Sequence, residues 1–239
     1  MINKDATQAK AQFVHRLFSS IANHYDFMNS LLSLNQDNYW RNCLLQQIPL
    51  KSTDQILDIC CGTGKMTVKI AHCLEYGGKV VGLDFCEPML AKAAEGIKSH
   101  PNREMIELIS GDALALPFPD NTFNHVVTAF GLRNLPNITE PLLEMYRVVK
   151  PGGTVTSVEL SKPSQPGLKQ IYFLYFDKIA PLLGKIKVGR DGFYNWLPES
   201  LKEYPDQHEV SNLFKQLRFQ NVSCKELTGG IATIHSGIK

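Results

Sequence analysis

The chain has 239 residues, 44% of them hydrophobic and 20% charged, with a formal net charge of +2. That is a globular composition, and with Gly 17 and Pro 13 falling in no period it excludes disordered, collagen-like and low-complexity classes. The charge is too near zero to point to a nucleic-acid partner, and no run of about 18 apolar residues is present to cross a membrane.

The opening segment, MINKDATQAKAQFVHRLF, carries Asp5 early and has no continuous apolar stretch. It reads as neither a secretory signal nor, with no arginine before Arg16, a transit peptide. Six cysteines (Cys43, Cys60, Cys61, Cys73, Cys86 and Cys224) show no paired spacing, which favours reduced thiols in a cytoplasmic setting.

From residue 55 onward, short apolar runs alternate with helical patterns. Gln55 to Cys60 reads as a buried strand, and Gly64 to Leu74 as a helix with Met66, Ile70, Ala71 and Leu74 on one face. Lys79 to Leu83 is a second strand, and Pro88 opens a helix that continues over Met89 to Ile97. Met105 to Ile109 and Asn124 to Ala129 read as the third and fourth strands. Pro141 to Val149 is a helix stopped by Lys150-Pro151-Gly152-Gly153, and Thr154 to Leu160 is a fifth strand. Beyond it, Gln207 to Leu217 reads as helix. Ser223 to Leu227 and Ile231 to Ile238 pair as a hairpin around Gly229-Gly230. The alternation predicts an α/β fold: one doubly wound, mostly parallel Rossmann-like sheet with a C-terminal antiparallel hairpin and extra helices, in a single domain of residues 1–239. Such sheets bind ligands beyond the carboxyl ends of their strands, here residues 58–64, 84–86, 111–113 and 130–134.

The loop Asp58-Ile-Cys-Cys-Gly62-Thr63-Gly64 lies where a strand meets a helix. A dinucleotide loop wants a third glycine where Thr67 stands, and a P-loop wants Ser or Thr where Met66 follows Lys65. An acid ahead of the loop also opposes a pyrophosphate. It suits a cationic ligand instead, and S-adenosylmethionine offers an ammonium, a sulfonium and no phosphate. Asp84 ends the next strand, where a carboxylate accepts both hydrogen bonds of a ribose diol. Asp112 and Ala113 end the third strand and are placed for the adenine. Cys60 and Cys61 read as packed thiols, since no partner at metal-ligand spacing accompanies them. No metal is expected.

At this point the sequence resembles a known family. Asp58 to Gly64 looks like the first motif of class I S-adenosylmethionine-dependent methyltransferases. The chain is more narrowly similar to the quinone-biosynthesis C-methyltransferases, which act on demethylmenaquinol or on the benzoquinol precursor of ubiquinone. Tyr25-Asp-Phe-Met-Asn29 with Leu32-Ser33 and Trp40 carries the likeness. So do Leu116 to Phe123, Phe130-Gly-Leu-Arg-Asn134, Arg147 to Ser161 and Leu227 to Lys239. The likeness runs from about Val14 to the end. One departure is Asp37, where the family usually carries a histidine three residues before Trp40.

The resemblance implies methyl transfer to a ring carbon of a prenylated quinol, with the naphthoquinol branch favoured. Residues 1–50 would form a helical lid, 51–160 the cofactor-binding core, and 161–239 the acceptor-side helices and hairpin. Arg133 is the first candidate to stabilise a developing quinolate, the alternative being a structural pair with a carboxylate. The base is water or one of His235, Tyr25, Asp26 and His125, with His235 preferred among the side chains and His125 the more core-like. Tyr25, Asp26 and Asn29 are placed as a lid over the cofactor. Leu168 to Leu183 with Lys185, Lys187 and Arg190 has the apolar and basic mixture of a membrane interface, which would give peripheral contact with the inner face of the membrane, the equal alternative being a buried helix followed by a solvated basic loop. A homodimer is left open. The rivals are a nicotinamide oxidoreductase, a catalytically silent binder of the adenosyl ligand, and a methyltransferase with another acceptor.

Overall fold

Short aliphatic runs that would be insoluble alone become strands because helices cover them on both faces. The computed structural model describes residues 4–163 and 192–239, together with Gly167, Gln170, Tyr172 and Leu174. Strands β1 (Gln55–Ile59), β2 (Lys79–Asp84), β3 (Ile106–Ser110), β4 (Phe123–Ala129) and β5 (Val149–Leu160) run parallel. β6 (Gln220–Leu227) and β7 (Ala232–Ile238) close the sheet antiparallel, in the order β3-β2-β1-β4-β5-β7-β6. The chain order reverses between β1 and β4, which is where such sheets open a ligand crevice.

In β1, Ile56 joins one core and Leu57 and Ile59 the other, so the strand is apolar at every such position. The first core holds the N-terminal helices α1 (Lys4–Ile21), α2 (Tyr25–Leu32) and α3 (Gln36–Leu45), with α4 (Lys65–Ala71) and α5 (Glu87–Ile97). The second is built on α6 (Thr139–Val148) and includes Val210 and Phe214 of a later helix, Gln207–Gln216. That later helix follows α7 (Gly192–Glu203) and is numbered α8. It opens on a capping box in which Asp206 and Glu209 each accept a backbone N–H of the other's end.

Two departures from the sequence reading have physical causes. β5 begins at Val149, so Lys150 to Gly153 do not separate helix from strand but belong to the strand. Gly153 makes this possible: a Cβ there would lie 2.3 Å from the carbonyl oxygen of Asn124, beside the register shift between Phe123 and His125. α7 was not anticipated, because Pro198 sits inside it and breaks the helical pattern. The segment Leu168 to Leu183 lies outside the described residues except at Gln170, Tyr172 and Leu174, and so do Lys185, Lys187 and Arg190. Among the described residues no helix is long and apolar enough to cross a membrane.

Candidate active site

Three connected cavities lie along the carboxyl ends of the parallel strands. The outermost, about 50 Å³, is lined by Asp84, Phe85, Gly111, Asp112 and Ala113 among others. It shares Cys60, Asp84, Phe85, Asn134 and Leu135 with a middle cavity of about 60 Å³ that reaches Asp58, Gly62, Thr63 and Lys65. The middle cavity in turn shares Tyr25, Arg41 and Phe130 with a larger cavity of about 280 Å³ under α2 and α3. The residues expected after β1, β2, β3 and β4 therefore meet along one crevice.

The glycine loop holds the middle cavity. Gly64 has φ +78° and caps α4, and a Cβ there would press within 3.1 Å of the Ala93 Cβ on α5. The Gly62 amide donates to Asp84 Oδ2 at 2.8 Å, and the Cys86 amide donates to Oδ1 at 2.9 Å. These bonds orient the Asp84 carboxylate, and each oxygen keeps a second lone pair for a diol. Burial raises its pKa, and the backbone donors oppose that rise. Asp58 is fully buried; its Oδ2 accepts Thr67 Oγ1 at 2.6 Å, while Oδ1 has no hydrogen-bond partner among the described residues. Burial pushes the Asp58 carboxyl up to about 7. A buried carboxylate oxygen without a donor, facing a cavity edged by Asp84, fits a ligand that brings its own positive charge. Asp112 Oδ1 accepts the Leu114 amide at 2.9 Å, and Ala113 is buried beside it. Thr63 Oγ1 donates to Asp26 Oδ1 at 2.8 Å, which fastens α2 to the loop.

The larger cavity carries a different chemistry. Arg133 sits in the short turn Leu132–Asn134 after β4 and is buried. Its Nη1 donates to Glu159 Oε1 at 2.5 Å and to the Phe130 carbonyl at 2.8 Å. The structural pairing weighed against a functional role is thus present, and Arg133 lines the cavity as well. Burial works against its charge, but Glu159 leads the groups that hold the guanidinium above its ordinary pKa. Arg133 Nε is buried with no hydrogen-bond partner among the described residues. Tyr25 borders both the middle and the larger cavity. Burial raises its phenol pKa more than Arg133 lowers it, so Tyr25 stays protonated near neutral pH and donates rather than abstracts.

Four residues were not singled out as site residues from the sequence. Trp40 Nε1 donates to Thr228 Oγ1 at 2.8 Å across the larger cavity. Arg41 donates from Nη1 to Asp37 Oδ2 at 2.6 Å, and its guanidinium lies 4.8 Å over the Phe130 ring. Lys65 Nζ lies 3.6 Å from Asp26 and 3.8 Å from Asp37. The departure at Asp37 therefore places a buried carboxylate between two cations. The signal was readable: Asp37 and Arg41 are four apart on one helix face.

Three base candidates, His235, His125 and Asp26, line none of these cavities. His235 is buried in β7, bonds through Nε2 to the Gln207 carbonyl at 2.9 Å and stacks on Phe214 of α8. It lines none of the three cavities, and burial lowers its pKa. The strand's alternation is the cause: Ala232 and Ile234 join the core on the lid side, and His235 turns to the opposite face. His125 lies 3.3 Å from Asp54 and 2.7 Å from Thr154 Oγ1, at the far end of its strand. Asp26 is occupied by Thr63 and Lys65.

The fold and the crevice define the class: a Rossmann-like protein of the S-adenosylmethionine-dependent methyltransferases. A methyltransferase of that class from Aquifex aeolicus superposes with a TM-score of 0.61 at 21% identity, over 83% of this chain and 88% of that one. One from Thermotoga maritima gives 0.65 at 18% identity, over 95% and 99%. The profile of the ubiE/COQ5 methyltransferase family matches residues 6–239, and the chain belongs to that family. A demethylmenaquinone methyltransferase of Desulfitobacterium hafniense (strain Y51) is 44% identical over 96% of this chain and 91% of its own length. Another from Bacillus licheniformis is 44% identical over 97% and 99%.

Proposed function

We propose that this protein methylates a ring carbon of demethylmenaquinol, using S-adenosylmethionine as the methyl donor, in menaquinone biosynthesis. The observation that carries the reading is the seam of Tyr25, Arg41 and Phe130, where a cavity bearing Asp58 and Asp84 opens into a larger cavity lined by the buried Arg133. The relatives' names give the acceptor, and this chain's residues give the roles. Asp112 and Ala113 take the adenine, Asp84 the ribose, and Asp58 with Gly62, Thr63 and Gly64 the methionine end. Bound there, the ligand supplies an electrophilic methyl on a positively charged sulfur.

On the acceptor side, a ring carbon becomes nucleophilic once a neighbouring hydroxyl ionises, and a phenol-like hydroxyl has a pKa near 10. Arg133, fixed by Glu159, lowers that cost by placing a permanent charge against the developing oxyanion. Tyr25 donates a hydrogen bond at the seam. The bond to sulfur breaks as the carbon–carbon bond forms and the sulfur keeps the electron pair; the hydroxyl proton and then the ring-carbon proton pass to water at the cavity mouth, which restores aromaticity. Trp40, Phe130, Leu160 and Ile231 exclude water and align the ring. In this reading residues 1–50 close over the donor, 51–160 bind it and 161–239 shape the acceptor side, with the enzyme held peripherally at the membrane that stores its substrate.

Purified protein incubated with methyl-labelled S-adenosylmethionine and reduced demethylmenaquinone should place label on the naphthoquinol ring carbon. Label only with a benzoquinol acceptor would move the assignment to the ubiquinone branch. Binding without transfer to either would make the chain a silent partner.

A further inference from the structure

The middle cavity is lined by charges of both signs, the carboxylates Asp58 and Asp84 and the cations Arg41 and Lys65. Asp58 brings a carboxylate oxygen with no donor among the described residues. Arg41 faces the same cavity, and its charge lies close enough to Asp58 to oppose the effect of burial on that carboxyl. Arg41 is itself 5% exposed, so its position is fixed by packing over Phe130 and by Asp37.

From this we infer that Arg41 holds the carboxylate of S-adenosylmethionine, so that Asp58 and Arg41 together form a receptor for the zwitterionic amino-acid end of the donor. The inference rests on the placement of the donor proposed above. Both guanidinium hydrogen bonds among the described residues leave from Nη1, to the Asp37 side chain and carbonyl. A guanidinium carries five N–H donors, enough for a second carboxylate. Lys65, the other cation of this cavity, lies between two carboxylates, Asp26 and Asp37, and is a third exposed at the side chain. By sharing Asp37, Lys65 leaves part of the Arg41 charge uncancelled. Arg133 serves the acceptor cavity and does not line the middle one. Arg41 borders both, so it would fix the methionine end where the methyl must point through the seam.

The test compares two ligands by titration calorimetry on the full chain. S-adenosylhomocysteine carries the carboxylate and ammonium; 5′-methylthioadenosine keeps the adenosyl and thioether but lacks both. Arg41→Met should weaken S-adenosylhomocysteine about 10- to 100-fold, the scale of a charge-assisted hydrogen bond, and leave 5′-methylthioadenosine within about twofold. Loss of both ligands alike, or of neither, would overturn the role of Arg41. Because Arg41→Met leaves the buried Asp37 with only the longer contact to Lys65 and the Ser33 hydroxyl, the Asp37→Asn/Arg41→Met double variant provides a second trial, with the same selective loss expected. A wild-type chain that bound neither ligand would overturn the donor site itself, a result separable from failure of Arg41 alone.

Discussion

At the scale of single residues, burial decides the behaviour of the site's acids. Asp58 has its pKa pushed up to about 7, mainly by desolvation. A ligand ammonium favours the ionised carboxylate, so binding must release a proton wherever Asp58 is still protonated. Affinity for S-adenosylhomocysteine should therefore rise about tenfold per pH unit up to about 7 and level off above it. Calorimetry in two buffers of different ionisation enthalpy would show the proton leaving. Asp58→Asn should bind more weakly with a flat profile over that window, and a persistent slope would place the titration elsewhere. The sign for folding is opposite. The folded pKa lies above the unfolded one, so this group's stability contribution is full below about pH 4 and lost as pH rises through 7. The unliganded protein should lose thermal stability over that window, and Asp58→Asn should flatten the fall.

Arg133 presents a second residue-scale case, since its pairing with Glu159 and its place in the larger cavity, proposed to take the acceptor, are not exclusive. Arg133→Met strands Glu159 as a buried, unpaired charge and should destabilise the fold by about 3–5 kcal/mol. Arg133→Met/Glu159→Gln removes both charges. It should recover most of the melting temperature while methyl transfer stays reduced at least about 100-fold, the scale of losing an electrostatic group at a developing anion. Recovery of activity along with stability would reduce Arg133 to a packing role.

At the scale of elements, the parallel strands were legible because continuous apolar runs ending at Gly or Asp have few other homes. β1, β2, β3 and β4 fall within a residue or so of the runs that announced them. The carboxyl-end loops followed from the alternation alone, and Asp58, Asp84 and Asp112 sit on one crevice as that rule requires. β5 was shortened in the reading because Pro-Gly-Gly normally ends a helix without entering a strand. His235 illustrates a different limit. Its segment matched the family, but whether a strand residue faces a cavity or a core is decided by parity and by what covers each face. α8 covers this one. His235→Leu should lower the melting temperature and leave the pH dependence of methyl transfer unchanged. A shift in the acidic limb of that profile would return the residue to the mechanism. Arg41 shows a related limit: its i,i+4 spacing to Asp37 marks an ion pair, but that it also lines the cavity of the glycine loop is a tertiary fact the spacing does not carry.

At the scale of the whole molecule, the acceptor has to reach a cavity that sits beneath the N-terminal helices. The cavity of about 280 Å³ lies just below the roughly 300–1,000 Å³ usual for small-molecule sites. It can take a ring head, and a long prenyl tail must leave through its mouth. Leu34 lines that cavity and is 79% exposed, held at the α2–α3 turn with φ +52°, and Leu31 and Tyr39 are exposed nearby in sequence. An exposed leucine in left-handed backbone costs energy on two counts, which is economical only if the side chain meets something apolar. Lipid hydrocarbon is the environment from which a prenylated quinol comes. The protein should therefore cosediment with phospholipid vesicles at low salt, and Leu31→Ser/Leu34→Ser should reduce that retention severalfold. The same variant should bind S-adenosylhomocysteine normally, because neither side chain reaches the middle cavity. Its kcat/KM should fall for vesicle-borne demethylmenaquinol and stay near the native value for a short-chain analogue dissolved in water. Equal losses with both acceptors would mean that Leu34 shapes the cavity itself. Absence of vesicle retention in the native protein would mean that the quinol is delivered some other way.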